Sequence, residues 1–148
     1  GTPRQHIAIV VAAFYASPHF ANVTASSLYQ SKAFGVTDQP DFSNAVVKVD
    51  TDLAPLALLD FCQSLESAAK RTRLRHWGER SLDVDVLLYG DDTINNARLV
   101  VPHEGLFARN FVLIPMLELD PTLMVNGQKL ADLPTSQQWQ GLEKLTGV

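Results

Sequence analysis

Cysteine is almost missing: Cys62 is the only one in 148 residues. One thiol cannot close an internal disulfide, and it excludes a cysteine-based zinc site. A reducing, cytoplasmic setting is the expectation. A long apolar run is also absent. The longest, residues 7–16 (IAIVVAAFYA), falls well short of the roughly 20 residues that a membrane span needs, and no charged segment leads into a cleavable apolar one. The run reads as core. Positive charge is scarce as well, with twelve Lys and Arg against sixteen Asp and Glu and a formal net charge of −4. A general nucleic-acid surface needs a net basic face, so neither nucleic acid nor membrane is an expected partner.

The rest of the composition describes a chain that folds. Apolar residues make up 46% and charged residues 19%, with eight Gly and eight Pro, too apolar for disorder and large enough for one core without staples. A single domain over residues 1–148 is expected. Thr2 and Gln5 are spaced as a capping box with Pro3 at the first helical position, which predicts a helix from Pro3 to about Tyr15. The β-branched run IAIVVAAFY, taken alone, would equally suit a buried strand. Val23–Tyr29 reads as a strand, residues 30–41 as a loop, and Asn44–Val49 as a second strand paired with the first. Apolar residues at helical spacing predict a helix over Leu53–Ala69. A strand Leu82–Tyr89 follows, with a turn at Asp91-Asp92. Pro102 opens a loop around His103, and residues 110–119 form a short helix or an extended core segment. Asn126-Gly127 signals a turn, and Thr135 with Gln138 would cap a last short helix bearing Trp139, Leu142 and Leu145.

Charge is concentrated in one place. Lys70, Arg71, Arg73, Arg75 and Arg80, five of the twelve cations, stand just ahead of the expected strand that carries Asp83 and Asp85. Positions i and i+2 of a strand share a face, so the two carboxylates lie side by side while Leu82, Val84 and Val86 face the other way. Adjacent carboxylates repel unless a cation sits between them. Mg²⁺ suits such a pair, because it takes oxygen ligands and is commonly shared between one or two carboxylates and substrate phosphates. The basic cluster would grip the same phosphates, which points to a phosphate-bearing small molecule. The plainer alternative is the solvent face of a half-exposed sheet beside a solvated loop. Several single residues carry two readings. His103 is a loop histidine or a phosphate donor, Arg109 a surface cation or an anion contact, and Trp77 a core anchor or a lid. Phe42 and Phe111 are core aromatics or stack on a flat heterocycle. Asn44 is a turn residue or reads a ring edge through its donor and acceptor.

Three segments in register carry a family resemblance. HWGERSLDVDV (residues 76–86) resembles the signature R-W-G-P-R-[ST]-L-D-[LIV]-D-[LIV] of the 6-hydroxymethyl-7,8-dihydropterin pyrophosphokinases of folate biosynthesis. DQPDFSNAVV (38–47) resembles that family's D-Q-P-x-[YF]-x-N segment, and VPHEGLFARNFVLIPMLELDP (101–121) its V-P-H…R-x-F…P-L-x-E-[IL]-x-P segment. The resemblance implies an α+β, ferredoxin-like plait, a mostly antiparallel sheet with helices packed on it. It implies transfer of pyrophosphate from ATP to the pterin, giving AMP, with two Mg²⁺ ions on Asp83 and Asp85. Arg71 and Arg73 match its flexible-loop arginines and Arg80 the signature arginine. Gln63, Glu66, Arg98, His103 and Arg109 match nucleotide-contact positions. Phe42, Asn44 and Phe111 match the pterin pocket, and Trp77 matches a tryptophan packed over the closed site.

The sequence departs from the family in two respects. The family opens on a central strand ending in G-S-N, whereas Thr2–Gln5 here falls on the start of its first helix. The first strand is thus expected to be missing, which would leave a sheet edge for a partner chain to cover in a homodimer, the alternative being a monomer. His76 stands for the usual arginine, Glu79 for proline, Lys70 for a loop glycine, and Ser31-Lys32 for Thr-Pro. A histidine grips phosphate less well than arginine. An alternative function follows, that of a catalytically weak or inactive relative that binds pterin, nucleotide or a protein partner.

Overall fold

The computed structural model describes residues 3–31, 42–73 and 82–147, without the side chains of 3, 4, 71–73, 146 and 147. The first helix, α1 (Pro3–Ala16), forms despite its β-branched content. Val10 and Phe14, four residues apart, fall on one face and are buried. That face decides between helix and strand. Phe14 packs edge-on against Phe20 at 4.9 Å and tilted against Phe61 at 5.2 Å.

The expected pair of strands is present, but each is broken in two. β1 (Phe20–Ala25) and β2 (Ser27–Ser31) replace the single strand 23–29, and β3 (Phe42–Asn44) and β4 (Val47–Thr51) replace 44–49. β1 pairs with β4, and β2 with β3. The break lies at Ser26, 1% exposed. Its N–H donates to the Val46 carbonyl (2.8 Å), its hydroxyl donates to the Ser27 carbonyl (2.8 Å), and that hydroxyl oxygen accepts from the Val46 N–H (2.9 Å). A side chain thus stands in for a ladder rung. Both ladders stay satisfied across the bend.

The second helix, α2 (Pro55–Arg73), buries Leu58, Leu59 and Cys62 with Val86, Leu99 and Val101. Burial, assisted by the Glu66 and Asp85 charges, pushes the Cys62 thiol up to about 11, so it is protonated and inert at neutral pH. Residues 82–89 depart from expectation. They are extended but join no ladder among the described residues. Apolar alternation decides which side chains turn inward, and it supplies no hydrogen-bonding neighbour. The inward set is as expected, with Leu82 and Val84 half-buried, Val86 buried, and Asp83 and Asp85 exposed. Two short strands, β5 (Ile94–Asn95) and β6 (Val100–Val101), pair next.

The third helix, α3 (Asn110–Leu119), resolves the open choice for that segment and buries Leu113 to Met116. Asn126 and Gly127 both have positive φ, 54° and 74°, the turn that joins β7 (Met124–Val125) to β8 (Gln128–Lys129). The expected last helix is a correction. Residues 134–137 form one 3-10 turn, and β9 (Leu142–Gly147) is a strand paired with β2. So short a helix would be marginal alone, whereas the strand buries Leu142 with Tyr29 and Ile114 and gains a ladder. The result is an α+β chain with three α-helices and antiparallel ladders throughout its described part. No helix among the described residues is long and apolar enough to cross a membrane.

Glu118, near the end of α3, ties that helix to β2. Its Oε2 accepts from the Ser27 N–H (2.8 Å) and Ser27 hydroxyl (3.0 Å), and its Oε1 accepts from the Tyr29 hydroxyl (2.5 Å). Burial works to raise the carboxyl, but those hydrogen bonds and the Lys144 charge outweigh it and hold the group below its ordinary value. Tyr29 is pushed up by burial and by Glu118.

Two predictions follow from these ties. Ser26→Ala leaves the Val46 N–H without its acceptor and should cost about 1–3 kcal/mol, read as a lower urea midpoint at unchanged slope. Because the Glu118 carboxyl is depressed on folding, its contribution is complete above the unfolded value of about 4.3 and lost as pH falls through the lower folded value. The stability difference between wild type and Glu118→Gln should therefore shrink below about pH 4, as measured by urea titrations at several pH values.

Candidate active site

The polar stripe of α2 comes first. Asp60, Gln63 and Glu66 are spaced by three and share a helix face. The Arg98 Nη2 donates to Asp60 Oδ1 (2.6 Å) and to Gln63 Oε1 (3.1 Å). Both ends of that ion pair are roughly half exposed, so it orients the guanidinium more than it stabilises the fold. Three residues further on, Glu66 Oε2 accepts the Val84 N–H at 2.7 Å. A backbone donor that lacks a ladder partner is thereby satisfied, and Val84 is pinned between the two aspartates.

Asp83 and Asp85 then project outward on either side of that clip. His103 stands opposite, its Nε2 4.0 Å from Asp85 Oδ2. The Gly105 N–H donates to His103 Nδ1 (3.0 Å), so in the neutral ring the proton sits on Nε2, toward Asp85. The His103 N–H bonds the Leu87 carbonyl (3.0 Å), which ties this loop to the extended segment. Gly105 also makes room for Arg109. A Cβ there would lie 2.5 Å from Arg109 Nε and 2.6 Å from Cζ. The guanidinium so placed lies 5.9 Å from the Phe111 ring centre.

The remaining members come from the sheet. Asn44 stands opposite Tyr29 in the β2–β3 ladder, with its Nδ2 3.5 Å from the Ser31 hydroxyl. Phe42, two residues earlier, is 51% exposed, unusual for a large aromatic ring. One cavity of about 1590 Å³ brings Asn44 and Phe42 together with part of this set. Its polar part is lined by Phe42, Asn44, Asp83, Asp85, Arg109 and Phe111, and its apolar part by Val10, Phe14, Val47, Val49, Val84 and Val86.

Ten of the expected site residues thus lie among those described, and six of them share the cavity. Gln63, Glu66, Arg98 and His103 join through the contacts above. The side chains of Arg71 and Arg73, and all of Trp77 and Arg80, lie outside the described residues, as do His76 and Glu79. Among the described residues no group of three His, Cys, Asp or Glu assembles to hold a metal. The donors present are a carboxylate pair with an open outer face. That fits Mg²⁺, which commonly completes its shell with water and phosphate oxygens. Sequence reasoning missed Asp60, whose spacing from Gln63 was a usable signal, and Gly105, for which nothing in the sequence pattern pointed to a close approach.

The 7,8-dihydro-6-hydroxymethylpterin-pyrophosphokinase family model matches residues 1–121. The chain belongs to this family. A Haemophilus influenzae protein named 2-amino-4-hydroxy-6-hydroxymethyldihydropteridine pyrophosphokinase is 49% identical over 112 residues, 75% of this chain and 70% of that protein. A Pseudomonas aeruginosa protein of the same name is 42% identical over 147 residues, 99% of this chain and 91% of that protein. A third, from Methylorubrum extorquens, is 38% identical over 130 residues, covering 88% and 82% respectively. Membership makes the chain an enzyme, a pyrophosphokinase among the kinases and transferases of folate biosynthesis.

Gly105 gives a prediction that needs no substrate. Gly105→Ala should displace the Arg109 guanidinium while costing less than about 1 kcal/mol, because the side chain that must move is flexible. A crystal structure of the variant with Arg109 in its original place over Phe111 would contradict this.

Proposed function

We propose that this pyrophosphokinase, acting as one domain over residues 1–148, moves a pyrophosphoryl group from ATP to 6-hydroxymethyl-7,8-dihydropterin in the cytoplasm. The observation that carries the reading is the meeting, in one cleft, of an outward carboxylate pair with two aromatic rings and an amide. Phosphate chemistry and heterocycle recognition need those two sets within reach of each other. The three relatives carry a dihydropteridine in their names.

In this reading Phe42 and Phe111 sandwich the pterin ring, Asn44 pairs with its edge, and Trp77 covers it. Asp83 and Asp85 would hold two Mg²⁺ ions, which would supply neutralisation of phosphate charge and Lewis acidity toward the phosphoryl group. Arg71, Arg73 and Arg80 hold the triphosphate, and Arg98, oriented by Gln63 and Asp60, meets the nucleotide. Glu66 keeps Val84, and so both aspartates, in place. His103 donates its Nε2 proton toward bound phosphate, and Arg109 adds charge beside the ring. The hydroxymethyl oxygen attacks the β-phosphorus, the bond from that phosphorus to the α–β bridging oxygen breaks, and AMP leaves with the electron pair. The hydroxyl proton passes to water. Positioning and charge stabilisation do the catalytic work.

The fold belongs to the same reading. The ferredoxin-like plait has a place for a further extended strand in the apolar part of the cavity, between β4 and residues 82–89. Among the described residues β4 pairs only with β1 and 82–89 with nothing. The second reading, a pyrophosphokinase of weak turnover whose main role is to bind pterin, nucleotide or a protein partner, is favoured by His76, Glu79 and Lys70 at positions where the family has arginine, proline and glycine.

The test is a Mg²⁺-dependent assay for AMP, with ADP followed in parallel, on ATP and the pterin. AMP should appear only with the pterin and fall on the order of 100-fold or more in Asp85→Ala. Undiminished AMP formation by that variant would falsify the assignment of the carboxylates.

A further inference from the structure

The two walls assigned to the pterin stand on different elements. Asn44 is on β3, and Phe111 is in the first turn of α3. Tyr29 touches both. Its backbone faces Asn44 across the ladder, and its ring, 1% exposed, lies in the buried cluster with Ile114 and Leu142 against which Phe111 packs. Its hydroxyl donates to Glu118, whose other carboxylate oxygen accepts two bonds from Ser27. Glu118 follows Phe111 by seven residues on α3, about two helical turns, so the two side chains share a face. Fixing the rotation of the helix at Glu118 therefore fixes it at Phe111. Three hydrogen bonds on one carboxylate are a strong restraint, because charge-assisted bonds are roughly twice as strong as neutral ones.

We infer that Glu118 and Tyr29 are positioning residues for the heterocycle. They set the spacing between Phe111 and Asn44 without touching substrate. Of the expected nucleotide contacts only Arg109, at the start of α3 beside Phe111, stands on this helix, and the ties of the phosphate side, Glu66 to Val84 and Gly105 to His103, lie on other segments. Loosening the Glu118 tie thus impairs the heterocycle far more than the nucleotide. The inference rests on the pterin reading above.

The experiment compares wild type, Glu118→Gln and Tyr29→Phe. It reads KM for 6-hydroxymethyl-7,8-dihydropterin and for ATP, kcat, and the Kd of 6-hydroxymethylpterin from its own fluorescence. The pterin KM and Kd should rise about tenfold, the worth of one hydrogen bond to a charged group, with the ATP KM within about twofold. Phe20→Leu, which weakens the core between α1, β1 and α2 away from this tie, serves as a control and should not change the ratio of the two KM values. Should Tyr29→Phe not fold, Ser27→Ala, which removes one of the three bonds, tests the same direction. Equal rises for both substrates, or no rise for either, overturn the inference while leaving the functional reading standing. Wild type that neither binds nor turns over the pterin overturns that reading and, with it, the inference.

Discussion

Ser26 carries three hydrogen bonds at the point where one antiparallel ribbon becomes two. On one side of it, β1 and β4 stay with α1 and α2, burying Phe20 against Phe14 and Phe61. On the other side, β2 and β3 turn to meet β9 and α3. A straight ladder would hold all four strands on one surface. The bend separates a large apolar core from a smaller cluster around Tyr29, and the cavity opens where the two diverge. An apolar residue at 26 would leave the Val46 N–H without its acceptor, and the cost of that exceeds what one more methyl group contributes.

Electrostatics divides the cavity along the same line. Residues 82–86 turn their apolar side chains into the core with α2 and β6 and their carboxylates outward. The two aspartates are therefore held near one another by the packing of Leu82, Val84 and Val86. In the proposed reading a cation held between them would offset the repulsion that like charges on one face exert. The Arg98 guanidinium, by contrast, already has Asp60 and Gln63 as partners. One charge set faces outward from the extended segment, while the other is oriented in advance by its partners.

Much of this was legible in the sequence, and for identifiable reasons. Pro3 behind Thr2, the spacing of Leu56, Leu59, Cys62 and Leu65, and the Asn126-Gly127 pair each act through nearby residues, and each produced the expected element. The alternation at 82–86 named the inward and outward sets, yet it could not say whether a neighbouring strand pairs there, because pairing depends on another part of the chain. The residues after Gln138 read as helix from a capping pattern and became β9, because burial of Leu142 against Tyr29 outweighed the local preference. The break at Ser26 was not visible, since a serine inside a strand carries no sign that its hydroxyl will replace a rung. The candidate site residues were found through motifs in register, whereas the groups that hold them, Asp60, Gly105, Tyr29 and Glu118, were not singled out.

Those supporting groups share a physical character. Glu66 accepts the Val84 N–H, Glu118 accepts the Ser27 N–H, and His103 accepts the Gly105 N–H. In each case a side chain satisfies a backbone donor in a segment that a helix or a regular ladder does not satisfy. Apolar packing tolerates small shifts, because contact energy is spread over many atoms. A hydrogen bond weakens steeply once its angle or length departs from the optimum. Regular structure can therefore bring the two ends of the cleft close to one another. In the proposed reading, holding them at the separation that in-line transfer demands falls to these few irregular bonds. Periodicity cannot report them, because each occurs once, and the Glu66 and Glu118 bonds join residues far apart in the chain.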